Sequence, residues 1–194
     1  MPVQTSKKNY VYFPDGCVVS IKASGDSDYT DVGAINSSVT ATLEWDESSI
    51  ETANAGTLAR RIRNMRLTGG FTLINLNPSM LQKMSNGVLH TGTGSTGQTV
   101  LTAGESSVEM TSYAMKLTHY TTVPNPTANP PVVGVFDREL ELFAVYSDSG
   151  AFNFNFKGAN EDGTEEMAVS FTAQLDTNQT DGEQLLKWTQ ATAS

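Results

Sequence analysis

Three glycines, Gly92, Gly94 and Gly97, have the spacing G-x-G-x-x-G. In a dinucleotide-binding fold this motif follows a strand and opens a helix, whose N-terminus faces the pyrophosphate. Here the glycines are followed by residues 99–102, which have the composition of a strand. We therefore interpret residues 91–98 as a flexible linker rich in glycine, threonine and serine, and we expect no nucleotide cofactor.

Histidine, cysteine and serine are the residues from which nucleophilic and transition-metal sites are commonly built. The chain has two histidines, His90 and His119, and one cysteine, Cys17, with no close spacing among them. No G-x-S-x-G elbow is present to expose a serine nucleophile. The single cysteine excludes an internal disulfide and a site with several thiolate ligands. These residues predict neither catalysis nor a transition-metal site.

Two segments carry carboxylates of the type that binds calcium. One is residues 160–166, Asn-Glu-Asp-Gly-Thr-Glu-Glu, and the other contains Asp26, Asp28 and Asp31. Neither segment has the spaced ligands of an EF-hand loop. Turns with solvated carboxylates explain both segments, so we predict no metal site.

The arginine cluster comprises Arg60, Arg61, Arg63 and Arg66, which contribute four of the 12 positive charges. One interpretation is an ordinary solvated strand edge, because charged side chains protect sheet edges from aggregation. The other is inter-subunit docking on an acidic surface of an identical neighbour, since arginine is enriched at interfaces. The sequence leaves both interpretations open.

The acidic stripe comprises Asp137, Glu139 and Glu141, at every second position of one predicted strand. Like charges on one strand face repel each other, so cross-strand partners and solvent usually neutralise them. The alternative is that the stripe lines a surface to which a passing molecule must not adhere. These two interpretations also stay open at this point.

Composition limits the classes of partner. The 194 residues suit one domain, and 12 basic against 21 acidic residues give a net charge of −9 and a pI near 4.6. An acidic chain is disfavoured as a ligand of nucleic acid and of anionic membranes. We find no apolar run of about 18 residues and no apolar signal-peptide region after Met1, so we expect synthesis in a reducing cytoplasm without membrane insertion.

Period-two alternation predicts a mainly β protein, an antiparallel β-sandwich or partial barrel with one short flanking α-helix and long loop arms. The clearest strand covers residues 165–176, where Met167, Val169 and Phe171 alternate with polar residues. In residues 39–46 the same alternation predicts that Leu43 and Trp45 face the core. Further strands are predicted at residues 17–23, 58–65, 66–75, 98–102, 112–120, 132–146 and 152–156.

One helix is predicted to begin at Asn77, with Pro78 at its first position. Met80, Leu81 and Met84 give it an apolar stripe, and Asn86-Gly87 is suited to end it. Residues 46–58 are predicted to form a polar loop or arm, and residues 182–190 a second helix or part of an arm. The predicted organisation is an N-terminal arm (1–14), a β domain (15–178) and a C-terminal arm or short helix (179–194).

The order of these features resembles the phage tail tube protein family. The likeness includes the strand ending Leu43-Glu44-Trp45-Asp46, the segment Leu67-Thr-Gly-Gly-Phe before the helix at Asn77-Pro78, and the closing strand 166–176. It covers about residues 15–178 and rests on pattern and order, without an invariant signature. The Hcp-like tube proteins of type VI secretion share this architecture.

The resemblance implies a structural virion protein that assembles into hexameric rings, stacked into the tube through which phage DNA leaves. The implied partners are identical copies, tape measure, tail terminator and baseplate proteins, and a sheath if the tail is contractile, while DNA passes without specific binding. The implied location is the phage tail, after assembly in the host cytoplasm. On this basis the acidic stripe is the candidate lumen lining, the arginine cluster the candidate docking strip, and the candidate inter-ring arm contains Asp46, Glu47, Ile50 and Glu51.

Two other classes of protein remain open at this point. One is a β-sandwich binding module for carbohydrate or protein, and the other is a phage tail-completion or capsid-decoration protein. A carbohydrate module normally presents a platform of exposed aromatics, whereas Trp45 is predicted to face the core and Trp188 is isolated near the end of the chain. Electron microscopy separates a tube protein from a binding module, because rings or tubes indicate the first and dispersed monomers that bind glycans the second, whereas another phage assembly protein is harder to exclude.

Overall fold

Strands make up most of the structure. The computed structural model describes residues 17–35, 39–52, 56–74, 77–85, 88–94, 96–103, 110–122, 127–128, 130, 134–155 and 166–192. In chain order the elements are β1 (Cys17–Ala23), β2 (Thr30–Asp31), β3 (Thr40–Thr52), β4 (Gly56–Leu73), α1 (Pro78–Met84), β5 (Leu89–Thr93), β6 (Thr99–Ala103), β7 (Tyr113–Thr122), β8 (Val135–Asn155), β9 (Glu166–Gln174) and β10 (Leu186–Gln190).

Eight strands form one antiparallel sheet in the order β2-β1-β7-β8-β9-β4-β3, with β10 also paired to β8. Strand β8 is long enough to pair with β9 through residues 144–155 and with β10 through residues 138–142. The sheet stays open and does not close into a barrel. A separate two-stranded sheet, β5-β6, lies beside it. The predicted mainly β, antiparallel class with one short helix is therefore confirmed.

The core lies on one face of the sheet, which we call the inner face. Ile21, Met115 and Leu142 form one row across β1, β7 and β8, and all three side chains are fully buried. On the other half of the sheet, Phe71 and Phe171 pack with their ring centroids 6.3 Å apart. Alternate residues of the same strands point to the opposite, polar outer face, as a half-covered sheet requires.

Helix α1 covers part of the inner face. Its start was predicted correctly: the Asn77 side-chain oxygen accepts a hydrogen bond from the Ser79 N–H at 3.0 Å, and Pro78 takes the first position. Met80, Leu81 and Met84 are buried against the sheet. Ser147 of β8 donates a hydrogen bond to the Met84 carbonyl, which fixes the helix end on the sheet. The predicted terminator, residues 86–87, lies outside the described residues.

Two predicted segments differ in the structure, and a third agrees with one of its two predicted forms. Residues 46–58, predicted as a loop or an arm, belong to a hairpin arm, since β3 and β4 continue through most of them. The helix predicted at 182–190 is wrong, because Leu186–Gln190 pair with β8 as strand β10. Residues 91–98 are not a flexible linker, since they contain the turn of the β5-β6 hairpin, with Gly97 at φ 74°.

One further correction concerns the edge strand β3. Leu43 and Trp45 were expected in the core, but 40% and 46% of their surfaces are exposed. The alternation did predict a strand, because backbone pleating sets the period. Burial depends on a facing layer, and no described element lies over the inner face at β3.

Gly69 provides a test of packing between β4 and its neighbours. A Cβ atom added there would meet the Thr40 carbonyl oxygen and lie 2.6 Å from Cζ of Phe171, whereas one added at Gly92 of β5 meets nothing within 4 Å. We expect Gly69→Ala to lower the free energy of unfolding by about 1–3 kcal/mol, because backbone and a core ring must move. Gly92→Ala is the matched control, and urea unfolding is the measurement. Equal stability of the two variants would show that the strands are not packed as described.

Candidate functional site

The acidic stripe lies on the outer face of β8, where β7 supplies its cation. The Lys116 Nζ atom is 3.0 Å from an oxygen of Glu139 and 3.7 Å from an oxygen of Glu141. The Thr118 hydroxyl donates to the second oxygen of Glu139 at 3.1 Å. The register places Lys116 opposite Glu141 and Thr118 opposite Glu139, so alternate positions of two adjacent strands create this network.

Tyr29, which the sequence did not single out, completes the network. Its hydroxyl donates to Glu141 at 2.8 Å, and the Lys116 Nζ atom lies 4.7 Å from the ring centroid, within cation–π range. Burial, with the hydrogen bond to Glu141, raises the pKa of Tyr29 far above its usual value. The hydroxyl therefore stays protonated and acts as a donor.

Asp137, at the other end of the acidic stripe, also has basic partners. His119 Nδ1 lies 2.8 Å and Arg138 Nε 3.3 Å from the same carboxylate oxygen. The three carboxylates of the stripe are each less than one third exposed. The network thus neutralises much of the charge that a bare stripe would present, and it includes His119 as a hydrogen-bonding partner of Asp137.

The arginine cluster lies on β4 in the hairpin arm, and its members differ in their contacts. Arg66 forms an ion pair with Glu44 of β3, with Nη2 2.9 Å from the carboxylate. Arg61 and Arg63 are exposed, and no ion pair to either is found within the described part of the chain. The side chain of Arg60 lies outside the described residues. Among the described members of the cluster, Arg66 therefore forms an ion pair within the chain, while Arg61 and Arg63 form an exposed strip.

A β-bulge marks the base of the arm. The register shifts between Glu44 and Asp46, and Asn64 has a positive φ of 49° while its side chain donates to Asp46 at 2.9 Å. Bulges of this kind bend and twist a strand. Of the candidate arm residues, Asp46 and Glu47 are exposed on β3, whereas the side chains of Ile50 and Glu51 lie outside the described residues.

The aspartates considered as calcium ligands form contacts within the chain. Asp26 forms an ion pair with Lys83 of α1 at 2.7 Å, and this contact lowers the pKa of Asp26. Asp31 accepts a hydrogen bond from the Gly33 N–H at 2.9 Å. The calcium candidates at 160–165 lie outside the described residues. In the described part of the chain, no group of three His, Cys, Asp or Glu residues is arranged to hold a metal ion.

No helix among the described residues is long and apolar enough to cross a membrane. No protein-family model matches the chain, and no curated protein sequence matches it. Solved structures do match. A sheath-tube complex of an extracellular contractile injection system in its extended state aligns with 98% of this chain and 99% of its own, with a TM-score of 0.50 and 7% identity.

A second match is the tube-terminating cap of the anti-feeding prophage. It covers 98% of this chain and 95% of its own, with a TM-score of 0.51 and 6% identity. The protein shares its fold with components of contractile injection systems. An Hcp crystal structure aligns over 90% of this chain at a TM-score of 0.38, from which we draw no conclusion.

The contractile-injection-system fold agrees with the architecture that the sequence resemblance implied. Both matches extend over nearly the whole chain. These two structures are a sheath-tube complex and a tube cap, which are structural assemblies rather than enzymes.

Lys116 can be tested as the centre of the outer-face network. Lys116→Met leaves two partly buried carboxylates without their cation, so we expect the free energy of unfolding to fall by about 1–2 kcal/mol, between the effects of exposed and buried pairs. Lys187→Met is the matched control, since Lys187 is opposite Glu141 in β10 but exposed. Chemical unfolding near neutral pH measures both. A loss as large for Lys187→Met would argue against the network.

Proposed function

We propose that the protein is a structural subunit that assembles with identical copies into stacked rings, hexameric in number, forming the tube of a phage tail or of a related injection particle. The observation that carries this proposal is a fold shared over almost the full chain with components of contractile injection systems. The open edges of the sheet supply a physical reason for assembly.

Several strand edges lack partners in the described residues, and those of β3 and β10 are the ones that also carry exposed tryptophans. Strand β3 pairs with β4 on one side only, over residues 40–52, and β10 pairs only with β8. Unpaired strand edges are sites for pairing with another chain. Identical copies that pair through different edges make head-to-tail contacts, which close into rings or continue as filaments.

Exposed apolar side chains accompany these edges. Trp45 on β3 and Trp188 on β10 are 46% and 54% exposed, and Leu43 and Ile62 of the arm are 40% and 57% exposed. Tryptophan and other large side chains commonly dominate interface energetics. Covering them with a neighbouring copy would remove apolar area from water, which favours association.

The sequence argument against a carbohydrate-binding module assumed that Trp45 faces the core, and the observed exposure of Trp45 removes that argument. A carbohydrate platform needs several aromatic faces together, however, and the two tryptophans lie on β3 and β10, which are not neighbouring strands. The tube proposal explains both residues as interface side chains.

The hairpin arm is proposed to connect successive rings, with Asp46, Glu47, Ile50 and Glu51 near its contacts. Two strands of this length extend past the end of β9, whose pairing with β4 stops at Leu67. The remaining partners proposed for the assembly are a sheath, baseplate, tail terminator and tape measure protein. The particle would be built in the host cytoplasm and act as a phage tail component.

The acidic stripe is proposed to face the lumen. Helix α1 and β5-β6 cover the opposite face, so the outer face of the sheet is free to line a bore. Its carboxylates are partnered by Lys116 and Arg138, so this face would be polar with little net charge and would attract phosphate only weakly. Lys116, Arg138 and His119 hold these carboxylates in place, and DNA or another cargo then passes without adhering.

Assembly is the first test of this function. Negative-stain electron microscopy of the concentrated purified protein should show hollow rings or tubes, because open edges and apolar side chains are covered only in the assembly. Solitary particles at every concentration, with and without baseplate components, would contradict the proposal.

The arm can be tested separately. Replacing residues 49–60 by Asn-Gly joins the paired residues Ser48 and Arg61 by a tight turn and removes the tip. We expect rings that no longer stack into tubes, scored by microscopy and sedimentation. The matched control replaces residues 94–98 by Asn-Gly between the paired Thr93 and Thr99, and should elongate normally. Tubes of normal length from the arm variant would refute the ring-connecting role.

The lumen assignment predicts a pattern of chemical labelling. In a Cys17→Ser background, Thr189→Cys places a thiol opposite Glu139 on the outer face, and His90→Cys places one on β5. In assembled tubes, a polymer-linked maleimide too wide for the bore should label only the second thiol, whereas a small maleimide should label both. Free subunits are the control, in which both thiols react with both reagents. Rapid labelling of the Thr189→Cys tube by the wide reagent would place the stripe on the outside.

A further inference from the structure

Several basic side chains of the described residues form ion pairs within the chain, but Arg61 and Arg63 do not. Arg66 is held by Glu44, Lys83 by Asp26 and Lys116 by Glu139. The side chains of Arg61 and Arg63 are exposed, and no carboxylate of the described residues lies within 4.0 Å of either. These two charges, on the arm just beyond the bulge, are available to an external partner.

The segment between β9 and β10, residues 175–185, has the opposite charge. It contains Asp176, Asp181 and Glu183 and no lysine or arginine. Asp176 is used within the segment, because it accepts hydrogen bonds from the Asn178 N–H at 2.9 Å and from Gln179 at 3.2 Å, which lower the pKa of its carboxyl group. We call this segment the acidic loop.

Asp181 and Glu183 remain exposed on the acidic loop. Asp181 accepts a hydrogen bond from the neutral Gln184 side chain at 3.2 Å. Neither residue has an ion pair within the described residues. The hydrogen bonds around Asp176 give the loop a defined shape, so its two free carboxylates project from an ordered turn.

Arg63 and the acidic loop border the same groove. Its volume is about 380 Å³, and Ile62, Met65, Leu175 and Leu185 provide its apolar lining. Arg63 lies on the arm side, and Gly182 and Gln184 on the loop side. The two charged rims of one chain therefore stand apart across an open groove instead of closing into an ion pair.

We propose that Arg61 and Arg63 of one copy dock on Asp181 and Glu183 of a second copy. This inference rests on the proposed assembly and identifies one of its contacts. Each copy presents one basic and one acidic rim, as a head-to-tail contact between identical chains requires. The other acidic surface, the acidic stripe, is already occupied by Lys116, His119 and Arg138. Paired opposite charges would fix the register of the contact, which the unpaired edges alone leave variable.

Charge reversal tests the contact. Arg61→Glu with Arg63→Glu, or Asp181→Lys with Glu183→Lys, places like charges together, so each variant should raise the critical concentration for assembly about tenfold or more, as a loss of about 1.4 kcal/mol does. Thr99→Glu and Thr99→Lys, on the exposed β5-β6 hairpin, are controls for added surface charge and should assemble as the unaltered protein does. Thermal unfolding of the free subunits should be unchanged, because all the reversed side chains are exposed.

Mixing separates a contact between copies from one within a chain. An equimolar mixture of the two double variants should assemble, since the reversed, acidic arm of one variant meets the reversed, basic loop of the other, and the natural arm of the second meets the natural loop of the first. The chain with all four substitutions should also assemble. Rescue in the four-substitution chain without rescue in the mixture would mean pairing within one chain and would overturn the inference.

The remaining outcomes distinguish this inference from the proposed function. If the unaltered protein and all charge variants assemble equally, the tube proposal stands and the pairing of Arg61 and Arg63 with the acidic loop is wrong. If the unaltered protein forms neither rings nor tubes, the proposed function fails.

Discussion

An open β-sheet leaves the backbone N–H and C=O groups of its outermost strands without partners, and this constraint organises the molecule. Adjacent strands supply these hydrogen-bond partners in the middle of the sheet, where β7, β8 and β9 each have neighbours on both sides. The outer edges of β3 and β10 have no neighbouring strand among the described residues. Such edges favour pairing with further β-structure. A fold of this kind therefore carries its tendency to associate in its topology and not in a special motif.

The two faces of the sheet have different roles. The inner face holds the apolar rows and α1, and provides the stability of the single chain. The outer face holds a charge network in which Lys116 and Tyr29 satisfy the carboxylates of the acidic stripe. Because those carboxylates are partnered, the outer face can be polar without being strongly adhesive. The register shift opposite Asn64 marks the base of the arm, where the two strands bend.

Much of the strand pattern could be predicted because alternation follows directly from pleating. The segments predicted for β1, β7 and β9 were close to their observed bounds, and the Asn77 cap identified the helix. Burial at Trp45 could not be predicted in the same way, since it depends on whether another layer covers the edge strand. The short β10 has a pattern that suits a helix as well, and only pairing with β8 decides it.

The candidate surfaces were predicted only in part, because their contacts depend on strand register and on residues far apart in the sequence. Charge runs such as the arginine cluster are visible in the sequence, but the register decides which members are occupied, and it assigns Arg66 to Glu44. Tyr29 lies 112 residues from Glu141 and outside any strand, so no local pattern connects them. The acidic loop had no distinguishing motif, and its free carboxylates become evident only when the other ion pairs are assigned.

Strand β8 has a mechanical consequence. Residues 135–147, before the register shift between Ser147 and Phe152, span roughly 40 Å at the usual rise per residue, and β7, β10 and the end of β9 are aligned along them. A force applied along this strand loads many backbone hydrogen bonds in shear at once, whereas a force across it would open them one after another. We therefore expect the subunit to resist force along β8 and to bend more easily in the two-stranded arm.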